Sequence, residues 1–343
     1  MDRADFRSDT VTTPTPAMRR AMADAVVGDD VLREDPTLQR LEELAAGLLE
    51  KEAALFVPTG TMANQIGVKL FTKPGDEILA EENCHILNYE AGAIGLISGV
   101  VARPISTERG IFTAQDVERR IRGVDVHASR TALICVENTH NLAGGVPWTL
   151  AELDAVRAVA SARGIPLLMD GARLFNACAA EGVAAAAYAA RADLAWFALS
   201  KGLSAPVGSV LCGTRAAIEE CRRIRKQLGG GMRQAGVLAA CGIVALETMR
   251  ERLVEDHARA RRLAEGIAPL PGVVLDPASV RTNIVMIPLR ETIAARVAER
   301  LAREFGVLVV AMGAARIRLV THREIDDSHV ARAIAAFEAV LAA

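Results

Sequence analysis

The sequence predicts an α/β fold in which a mostly parallel β-sheet is covered by helices on both faces and is followed by a smaller C-terminal α+β domain. Two observations indicate this fold. Short runs of strand-forming residues alternate with helical segments of about 10 to 15 residues, a pattern typical of parallel sheets with helical crossovers. The chain also has 343 residues, more than a single hydrophobic core of roughly 250 to 300 residues accommodates, so we expect one large and one small domain.

The first part of the chain begins with an extended arm, after which helical periodicity predicts helices at about 15–26 and 36–51. Asp35 and Pro36 provide a cap and a first-turn residue for the second helix, whose leucines form an apolar stripe. From there strands and helices alternate. The predicted strands are Glu77–Ala80, Val100–Ile105, Ala132–Val136, Pro166–Met169, Leu194–Leu199 and Val207–Cys212.

The last part of the chain changes to an α+β pattern. Its predicted elements are a charged helix at Arg250–Ile267, a strand near Thr282–Ile287, a helix near 291–305, short strands at Val307–Val310 and Arg316–Val320, and a final helix. We therefore predict a large domain over residues 1–249, which includes the arm, and a small C-terminal domain over residues 250–343.

The composition excludes several classes of protein. Hydrophobic residues make up 51% of the chain and charged residues 24%, which is the balance of a globular protein and not of a disordered one. The formal net charge is −2 and the basic residues are scattered, so nucleic acid is not an expected partner. A basic run at Arg222, Arg223, Arg225 and Lys226 has two open interpretations, a solvated helix face or an anion-binding site.

Targeting and membrane-spanning segments are not predicted. The first ten residues are rich in charged side chains, and the longest uncharged runs contain Pro, Gly, Asn or Gln. No run supplies the roughly 20 apolar residues that a spanning helix needs. The six cysteines lack the spacing of metal ligands. We therefore expect a soluble, cytoplasmic protein with reduced thiols, no membrane association and no metal site.

Two residues that follow predicted strands indicate a cofactor site. Asp170 ends the run that starts at Pro166, and Lys201 follows Leu194–Leu199. Ligands of open α/β sheets bind at the carboxyl ends of strands. There a buried carboxylate would pair with a protonated ring nitrogen, and a buried amine would have the lowered pKa that a Schiff base requires. Simpler interpretations are a helix cap for Asp170 and a surface lysine for Lys201.

The turn Pro58–Asn64 leads into a predicted helix. Free backbone N–H groups, hydroxyls and the positive end of the helix dipole would hold a phosphate there, although Thr and Gly are also ordinary capping residues. The sequence lacks G-x-G-x-x-G after a strand and lacks G-x-x-x-x-G-K-[ST], so dinucleotide and P-loop sites lose their main support.

Motifs along nearly the whole chain resemble the low-specificity L-threonine aldolases, which belong to the fold-type I pyridoxal-phosphate (PLP) enzymes and their β-eliminating-lyase relatives. The matching segments are Phe6–Thr12, Phe56–Asn64, His85–Gly92, Glu137–Asn141, Met169–Ala177, Ser200–Leu203, Gly229–Gln234 and Arg318–His322. This resemblance implies cleavage of L-threonine, L-allo-threonine and other β-hydroxy-α-amino acids to glycine and an aldehyde. A phenylserine or 3-hydroxyaspartate aldolase, or a β-eliminating lyase, remains the alternative.

The resemblance also implies how the cofactor is bound. Lys201 holds PLP as a Schiff base, Asp170 binds the pyridine nitrogen, and Arg173 contacts the ring oxygen. The remaining implied ligands are His85, which stacks on the ring, and the phosphate ligands Gly60, Thr61 and Ser200, with Lys226 and Arg233 approaching the phosphate from a neighbouring subunit. A homo-oligomer, either a dimer or a homotetramer, is therefore expected.

On the substrate side, the resemblance makes Arg318 the residue that grips the carboxylate, with Ser8 nearby. Arg316 is a competing candidate, because it lies two residues away on the same strand face. Either His85 or His140 is the base that removes the β-hydroxyl proton, or acts through a water.

Two further expectations concern residues outside this set. The histidines at His127, His257 and His329 are interpreted as surface residues. Ser204 departs from the family, which often has Gly there, and its hydroxyl could alter the loop geometry after Lys201.

Overall fold

The structure is a computed structural model and describes residues 3–291 and 293–342. Its strands are β1 (Ala4–Asp5), β2 (Ala53–Val57), β3 (Glu77–Glu81), β4 (Val101–Ile105), β5 (Thr131–Glu137), β6 (Leu167–Gly171), β7 (Leu194–Ala198), β8 (Ser209–Gly213), β9 (Ile284–Pro288), β10 (Val307–Leu308), β11 (Val310–Ala311) and β12 (Arg316–Val320). Its α-helices are α1 (Pro16–Ala23), α2 (Pro36–Leu49), α3 (Gly60–Phe71), α4 (His85–Asn88), α5 (Ala114–Arg120), α6 (Leu150–Ala162), α7 (Leu174–Glu181), α8 (Ala185–Ala189), α9 (Arg215–Gln227), α10 (Gly236–Thr248), α11 (Leu253–Ile267), α12 (Ala294–Phe305) and α13 (Asp327–Leu341).

Within the described residues, seven strands form one sheet in the order β2-β8-β7-β6-β5-β3-β4. The pairs from β7 to β4 are parallel, whereas β8 is antiparallel to both of its neighbours, β7 and β2. Strand β8 runs in reverse because a loop without a helical crossover connects it to β7. The predicted α/β fold with a mostly parallel sheet is therefore confirmed.

Helices cover both faces of this sheet because successive strand residues point to opposite sides. In β5, Ile134 and Val136 pack with residues of α2, α6 and α10 on one face. Leu133 and Cys135 of the same strand pack with α3 and α9 on the other. Both faces are thus buried, as the near-continuous apolar runs predict.

Helix α2 begins as predicted, and its cap also connects it to α10. The Asp35 carboxylate accepts a hydrogen bond from Leu38 N at 2.9 Å and another from Gly236 N at 2.7 Å. A Cβ atom at Gly236 would lie 2.3 Å from Asp35 Oδ1, so the close approach of the two helices requires glycine there.

The C-terminal part contains an antiparallel sheet with the order β11-β12-β9, and α11 and α12 both contact α13. The N-terminal arm joins this part. Strand β1 pairs in parallel with β10, and Ala4 and Phe6 lie in the same hydrophobic cluster as residues of α11, α12 and α13. The predicted boundary after residue 249 falls between α10 and α11, and the division into two domains stays a prediction.

Some predicted elements differ from the structure. Strand β2 was not among the predicted strands, since its five residues show no polar alternation and lead almost directly into the turn before α3. Helix α1 ends at Ala23, α11 begins at Leu253, and α12 begins at Ala294; residue 292, inside the predicted helix 291–305, lies outside the described residues. The run 307–310 is divided between β10 and β11, which belong to different sheets.

The surface interpretation of His257 is wrong. Its side chain is buried, and its Nε2 atom lies 3.1 Å from the Asn176 amide nitrogen. Burial, with the charge of Arg261, lowers the pKa of His257 to about 4, so the ring is a neutral acceptor. His127 is exposed as predicted, whereas His329 is partly buried. Separately, none of the helices within residues 3–291 and 293–342 combines the length and apolar character needed to span a bilayer.

Candidate active site

A pocket of about 270 Å³ lies at the carboxyl ends of the parallel strands. Glu137 at the end of β5, Asp170 in β6 and Lys201 after β7 all line it. The N-terminal arm contributes Ser8 and Thr10, so residues from distant parts of the chain complete the wall. This position is where open α/β sheets bind their ligands.

Lys201 and Asp170 face the same pocket from adjacent strands. Among the described residues, the Lys201 amine makes no hydrogen bond; burial, together with the charge of Arg173, lowers the pKa of Lys201 to about 8. Within the described part of the chain, Asp170 accepts hydrogen bonds only from neutral groups, Asn64 Nδ2 at 2.8 Å and Ala172 N at 3.0 Å. Burial and then the charge of Glu137 raise the pKa of Asp170. Because α7 begins after Arg173, Asp170 is not its N-cap.

His85 stands at the start of the short helix α4 and lines the pocket. Its Nδ1 atom lies 2.9 Å from Glu90 Oε1, and its backbone N–H donates to Glu137 at 2.6 Å. The ring stacks on Tyr89 with a centroid distance of 5.6 Å. Burial alone would lower the pKa of His85, but the hydrogen bond to Glu90 and the charge of Asp170 raise it above its ordinary value.

Arg173 is held by a buried ion pair that the motifs did not reveal. Its guanidinium donates two hydrogen bonds of 2.7 Å to the Asp9 carboxylate, and Asn283 donates a third to Asp9 at 3.2 Å. Burial would raise the pKa of Asp9, but the charge and hydrogen bonds of Arg173 lower it to about 2. Asp9 therefore fixes Arg173 at the pocket wall and ties the arm to the C-terminal part.

Arg318 of β12 lines the pocket, and Arg316 does not. Two guanidinium nitrogens of Arg318 donate at 3.2 Å, one to Asn141 Oδ1 and one to the carbonyl oxygen of Arg7. Its Nε atom is buried without a partner in the described part of the chain. Arg316 is exposed and lies about 6.7 Å further along the strand, beyond the edge of the pocket.

The N-terminus of α3 forms another part of the wall. Thr59 caps the helix by accepting from Met62 N at 3.1 Å, which leaves the N–H groups of Gly60 and Thr61 without intrahelical partners. Ser200 lies in the same pocket. A Cβ atom at Gly60 would lie 2.7 Å from the Trp196 ring, so glycine is required for the helix to start this close to β7.

His140 is not brought into the pocket. Its side chain is buried, Nε2 lies 2.9 Å from Glu81 Oε2, and Nδ1 accepts from Ala143 N at 3.2 Å. With both ring nitrogens engaged, His140 holds the loop that presents its neighbours Thr139 and Asn141 to the pocket. His140 was a candidate base because it lies in the matched segment Glu137–Asn141, but its side chain points into the protein and not into the pocket.

Lys226 and Arg233 do not line the pocket either. Both are exposed, and Arg233 pairs with Asp29 of its own chain at 2.9 Å. Within the basic run, Arg225 has a structural role: it is buried and donates to Asp30 at 2.5 Å and to the carbonyl oxygen of Phe56 at 2.8 Å. Arg225 therefore fits neither interpretation of the run, a solvated helix face or an anion-binding site, because its buried charge pairs with Asp30.

Several residues of the site had no signal of their own in the sequence. They are Asp9, Asn64, Glu90 and Asn141, which lie within matched segments, and Trp196, which lies in the middle of β7. Hydrogen bonds connect Glu90 with His85 and Asn64 with Asp170. One potential metal-ligating atom from each of His85, Glu90 and Asp170 lies within 4.8 Å of the others. Hydrogen bonds through Asn64 account for this grouping, and the expectation of no metal site stays a prediction.

The chain is similar to known proteins over nearly its whole length. The family model described as beta-eliminating lyase matches residues 5–291. Low-specificity L-threonine aldolase 1 of Arabidopsis thaliana is 43% identical, covering 98% of this chain and 96% of that protein. The low-specificity L-threonine aldolase of Escherichia coli strain K12 is 38% identical, covering 98% and 99%. The solved threonine aldolase structure of Leishmania major shares the fold, with a TM-score of 0.83 at 21% identity, covering 98% of this chain and 99% of that one.

Proposed function

The chain belongs to the beta-eliminating lyase family and groups with low-specificity L-threonine aldolases, and from this premise we propose that it is a PLP-dependent aldolase. It cleaves L-threonine and L-allo-threonine, together with other β-hydroxy-α-amino acids, to glycine and an aldehyde. The observation that carries the proposal is the placement of Lys201 and Asp170 on adjacent strand ends, with His85 and Arg318 lining the same pocket.

The residues around the pocket fit PLP. Asp170 is a buried carboxylate whose hydrogen-bond donors among the described residues are neutral, so a cationic ring nitrogen would complete its environment. Lys201 offers an amine with a lowered pKa and no hydrogen bond among the described residues. The absence of a Cβ atom at Gly60 leaves room beside Trp196.

Each residue of this set has a proposed part in holding the cofactor. Lys201 would bind it covalently, Asp170 would pair with the ring nitrogen, and Arg173 would contact the ring oxygen. His85 would stack on the ring. The N–H groups that begin α3 at Gly60 and Thr61, with the hydroxyl of Ser200, would bind the phosphate.

When bound, PLP supplies the electron sink that allows the Cα–Cβ bond of an amino acid to break. Arg318 would bind the substrate carboxylate, because its unpartnered Nε and its planar guanidinium suit two parallel hydrogen bonds. Asn141 and the Arg7 carbonyl orient that guanidinium, and Ser8 lies in the same wall. Fixing the carboxylate sets the orientation of the bond to be cleaved.

His85 would remove the β-hydroxyl proton. Its Nδ1 is engaged by Glu90, and its Nε2 makes no hydrogen bond within residues 3–291 and 293–342. The proton of the hydroxyl group would pass to Nε2 and the hydroxyl oxygen would become the aldehyde oxygen as the Cα–Cβ bond breaks. One proton, from Nε2 or from solvent, would then be added to Cα to complete glycine. The buried position of His140 favours His85 for this part.

A homo-oligomer, as a dimer or a tetramer, completes the proposal. Among the described pocket residues, no lysine or arginine accompanies Gly60, Thr61 and Ser200 except those already assigned to the ring and the substrate. Lys226 and Arg233 are exposed, so a neighbouring copy could supply them. We also propose a large domain over 1–249, a small one over 250–343, and a cytoplasmic location, which the six free thiols support.

The partner contribution has its own test. We expect Lys201→Ala and Arg233→Ala proteins each to have little activity alone, and co-assembled oligomers of the two to regain it. In a mixed oligomer, one site combines an intact lysine with an intact arginine from its neighbour. Mixed oligomers without regained aldehyde release would reject the role of Arg233 across the interface.

The test of the function combines cofactor uptake with product analysis. Purified protein should show the absorbance of a PLP Schiff base, borohydride should fix the cofactor to Lys201, and L-threonine should give glycine and acetaldehyde. Lys201→Ala should lose all three, while Lys73→Ala, at an exposed lysine, should lose none. Pyruvate and ammonia from serine, without aldehyde from threonine, would favour a β-eliminating lyase instead.

A further inference from the structure

A buried carboxylate, that of Glu90, contacts one of the two ring nitrogens of His85. Glu90 is 4% exposed, and its Oε1 atom lies 2.9 Å from His85 Nδ1. The His85 side chain is 33% exposed and lines the pocket. Nδ1 is therefore engaged inside the protein, and Nε2 is the ring nitrogen available to a ligand.

Glu90 is also held in place by two amides. Its Oε1 accepts from Asn64 Nδ2 at 2.7 Å, and its Oε2 accepts from Gln65 Nε2 at 2.6 Å. The same Asn64 nitrogen donates to Asp170 Oδ2 at 2.8 Å, so one amide group separates the two carboxylates. Both carboxylate oxygens of Glu90 are therefore held in place beside the His85 ring.

We propose that Glu90 is a positioning residue that keeps the proton of the neutral imidazole on Nδ1 of His85 and thereby leaves Nε2 as the proton acceptor. An ionised carboxylate only accepts hydrogen bonds, so the ring nitrogen that faces it must be the one that donates. When Nε2 then receives a proton, the charge of Glu90 stabilises the imidazolium. This inference rests on the proposed function.

Other charged groups surround His85 and must be separated from Glu90. Asp170 of β6 also raises the pKa of His85, whereas burial and the charge of Lys201, which follows β7, lower it. Glu137 of β5 contacts the His85 backbone N–H and not the ring. Tyr89 stacks on the ring without a hydrogen bond to it. Of the residues that the structure describes, only Glu90 lies within hydrogen-bonding distance of His85 Nδ1.

Glu90→Gln removes the charge and retains the shape. The new side-chain carbonyl can accept from Asn64 and from His85 as the carboxylate does. Its amide nitrogen would face Gln65, whose Oε1 is buried without a partner in the described structure, so a reversal of the Gln65 amide supplies an acceptor. The matched control is Glu82→Gln, the same change at an exposed glutamate three residues before His85.

The readout is the titration of His85 in the holoenzyme, followed by NMR with isotope-labelled histidine and assigned by the signal lost in His85→Asn. In Glu90→Gln the midpoint should move to lower pH and the preference for the Nδ1–H tautomer should weaken, while Glu82→Gln should match the parent. We expect kcat/KM for L-threonine to fall about tenfold or more, with the loss mainly in kcat. An unchanged midpoint and tautomer would overturn the proposal.

A second variant and the parent protein make the outcomes distinct. If Glu90→Gln does not fold, Glu90→Asp withdraws the carboxylate from Nδ1, and the same direction of shift is expected; its absence rejects the role of Glu90. Aldehyde release by the parent without a shift in either variant rejects Glu90 and leaves the aldolase function. If the titration midpoint of His85 shifts in the variants but the parent releases no aldehyde from any β-hydroxy-α-amino acid, the aldolase function is rejected. The positioning of His85 by Glu90 is then still supported.

Discussion

Ser204 is a buried serine with a left-handed backbone, three residues after Lys201. Its φ angle is 63°, its exposure is 0%, and its hydroxyl has no partner among the described residues. A left-handed conformation costs an ordinary residue about 1 kcal/mol or more, and a buried unpaired hydroxyl costs about 1–3 kcal/mol. The position thus combines two unfavourable terms that glycine would remove.

We expect Ser204→Gly to raise the free energy of unfolding by about 1–2 kcal/mol, because both unfavourable terms disappear. The greater backbone freedom of glycine in the unfolded chain offsets part of this gain. Ser204→Ala removes the hydroxyl and keeps the backbone strain, so its gain should be smaller. Thermal unfolding of the two holoenzymes beside the parent measures the order. A glycine variant less stable than the parent contradicts this account.

The buried pair of Asp9 and Arg173 predicts a pH dependence. The folded pKa of Asp9, about 2, lies below the ordinary value of 3.8, so its contribution to stability is full above that ordinary value and is lost as pH falls through the folded pKa. This lowering of the Asp9 pKa on folding corresponds to about 2 kcal/mol of stability at neutral pH.

Asp9→Asn leaves the Arg173 charge buried and unpaired, and we expect a loss of about 3–5 kcal/mol at pH 7. The difference in unfolding free energy between parent and variant should shrink as pH falls from about 4 towards 2. Urea unfolding across this range measures it. Asp5→Asn, at a more exposed pair with Arg7, is the control. A difference in unfolding free energy between the parent and Asp9→Asn that stays constant with pH would exclude the assignment of the low pKa to Asp9.

At the scale of elements, the contact of α2 with α10 depends on the absence of one side chain. Gly236 leaves room for the Asp35 carboxylate, which caps α2 and accepts the first N–H of α10. Gly47, within α2, has no atom within 4 Å of its would-be Cβ. The two glycines therefore have opposite expected responses to the same substitution.

We expect Gly236→Ala to destabilise the protein by about 1–3 kcal/mol, because the added methyl group meets a buried carboxylate in a close-packed interior. Gly47→Ala should stabilise it by about 0.5–1 kcal/mol, since alanine is the better helix former. Denaturant midpoints of the two variants give the comparison. Equal effects would mean that the helices can separate without cost.

The sequence predicts most elements of the large sheet because strands such as β5, β6 and β7 are largely apolar runs buried on both faces. It does not predict the direction of β8, which follows from its short connection to β7, or the existence of β2, whose partner β8 lies about 150 residues away. In the site, Lys201 and Asp170 are predictable from their place after strands. Glu90, Asn64 and Asp9 are not, since their function arises from contacts between segments far apart in the chain, and the same cause turns His140 and His257 inward.

At the scale of the whole molecule, the N-terminal arm is part of the C-terminal core. Phe6 is fully buried in that cluster, its N–H donates to Leu308 O, and its carbonyl accepts from Val320 N, both at 2.8 Å. Ser8 and Thr10 follow and line the pocket. Packing at one end of the chain therefore positions residues of the site.

Phe6→Ala should cost about 3–5 kcal/mol because it leaves a cavity in this core. We expect the loss to appear as faster hydrogen exchange at the Val320 and Leu319 amides of β12, with smaller changes in the large sheet. Val274→Ala, at a half-exposed position in the C-terminal part, serves as the comparison. Unchanged exchange in β12 would show that the arm is dispensable for that sheet.

The pairing of Ala4 with Val307 also bears on how the polypeptide matures during translation. The arm leaves the ribosome before its partner strand, which follows only after tens of seconds at roughly 5–20 residues per second. Until then, the nascent chain contains the large sheet and Lys201, but the arm has no partner strand and Arg318 of β12 has not been synthesised. A polypeptide that ends before β12 would therefore lack Arg318, the residue proposed to bind the substrate carboxylate.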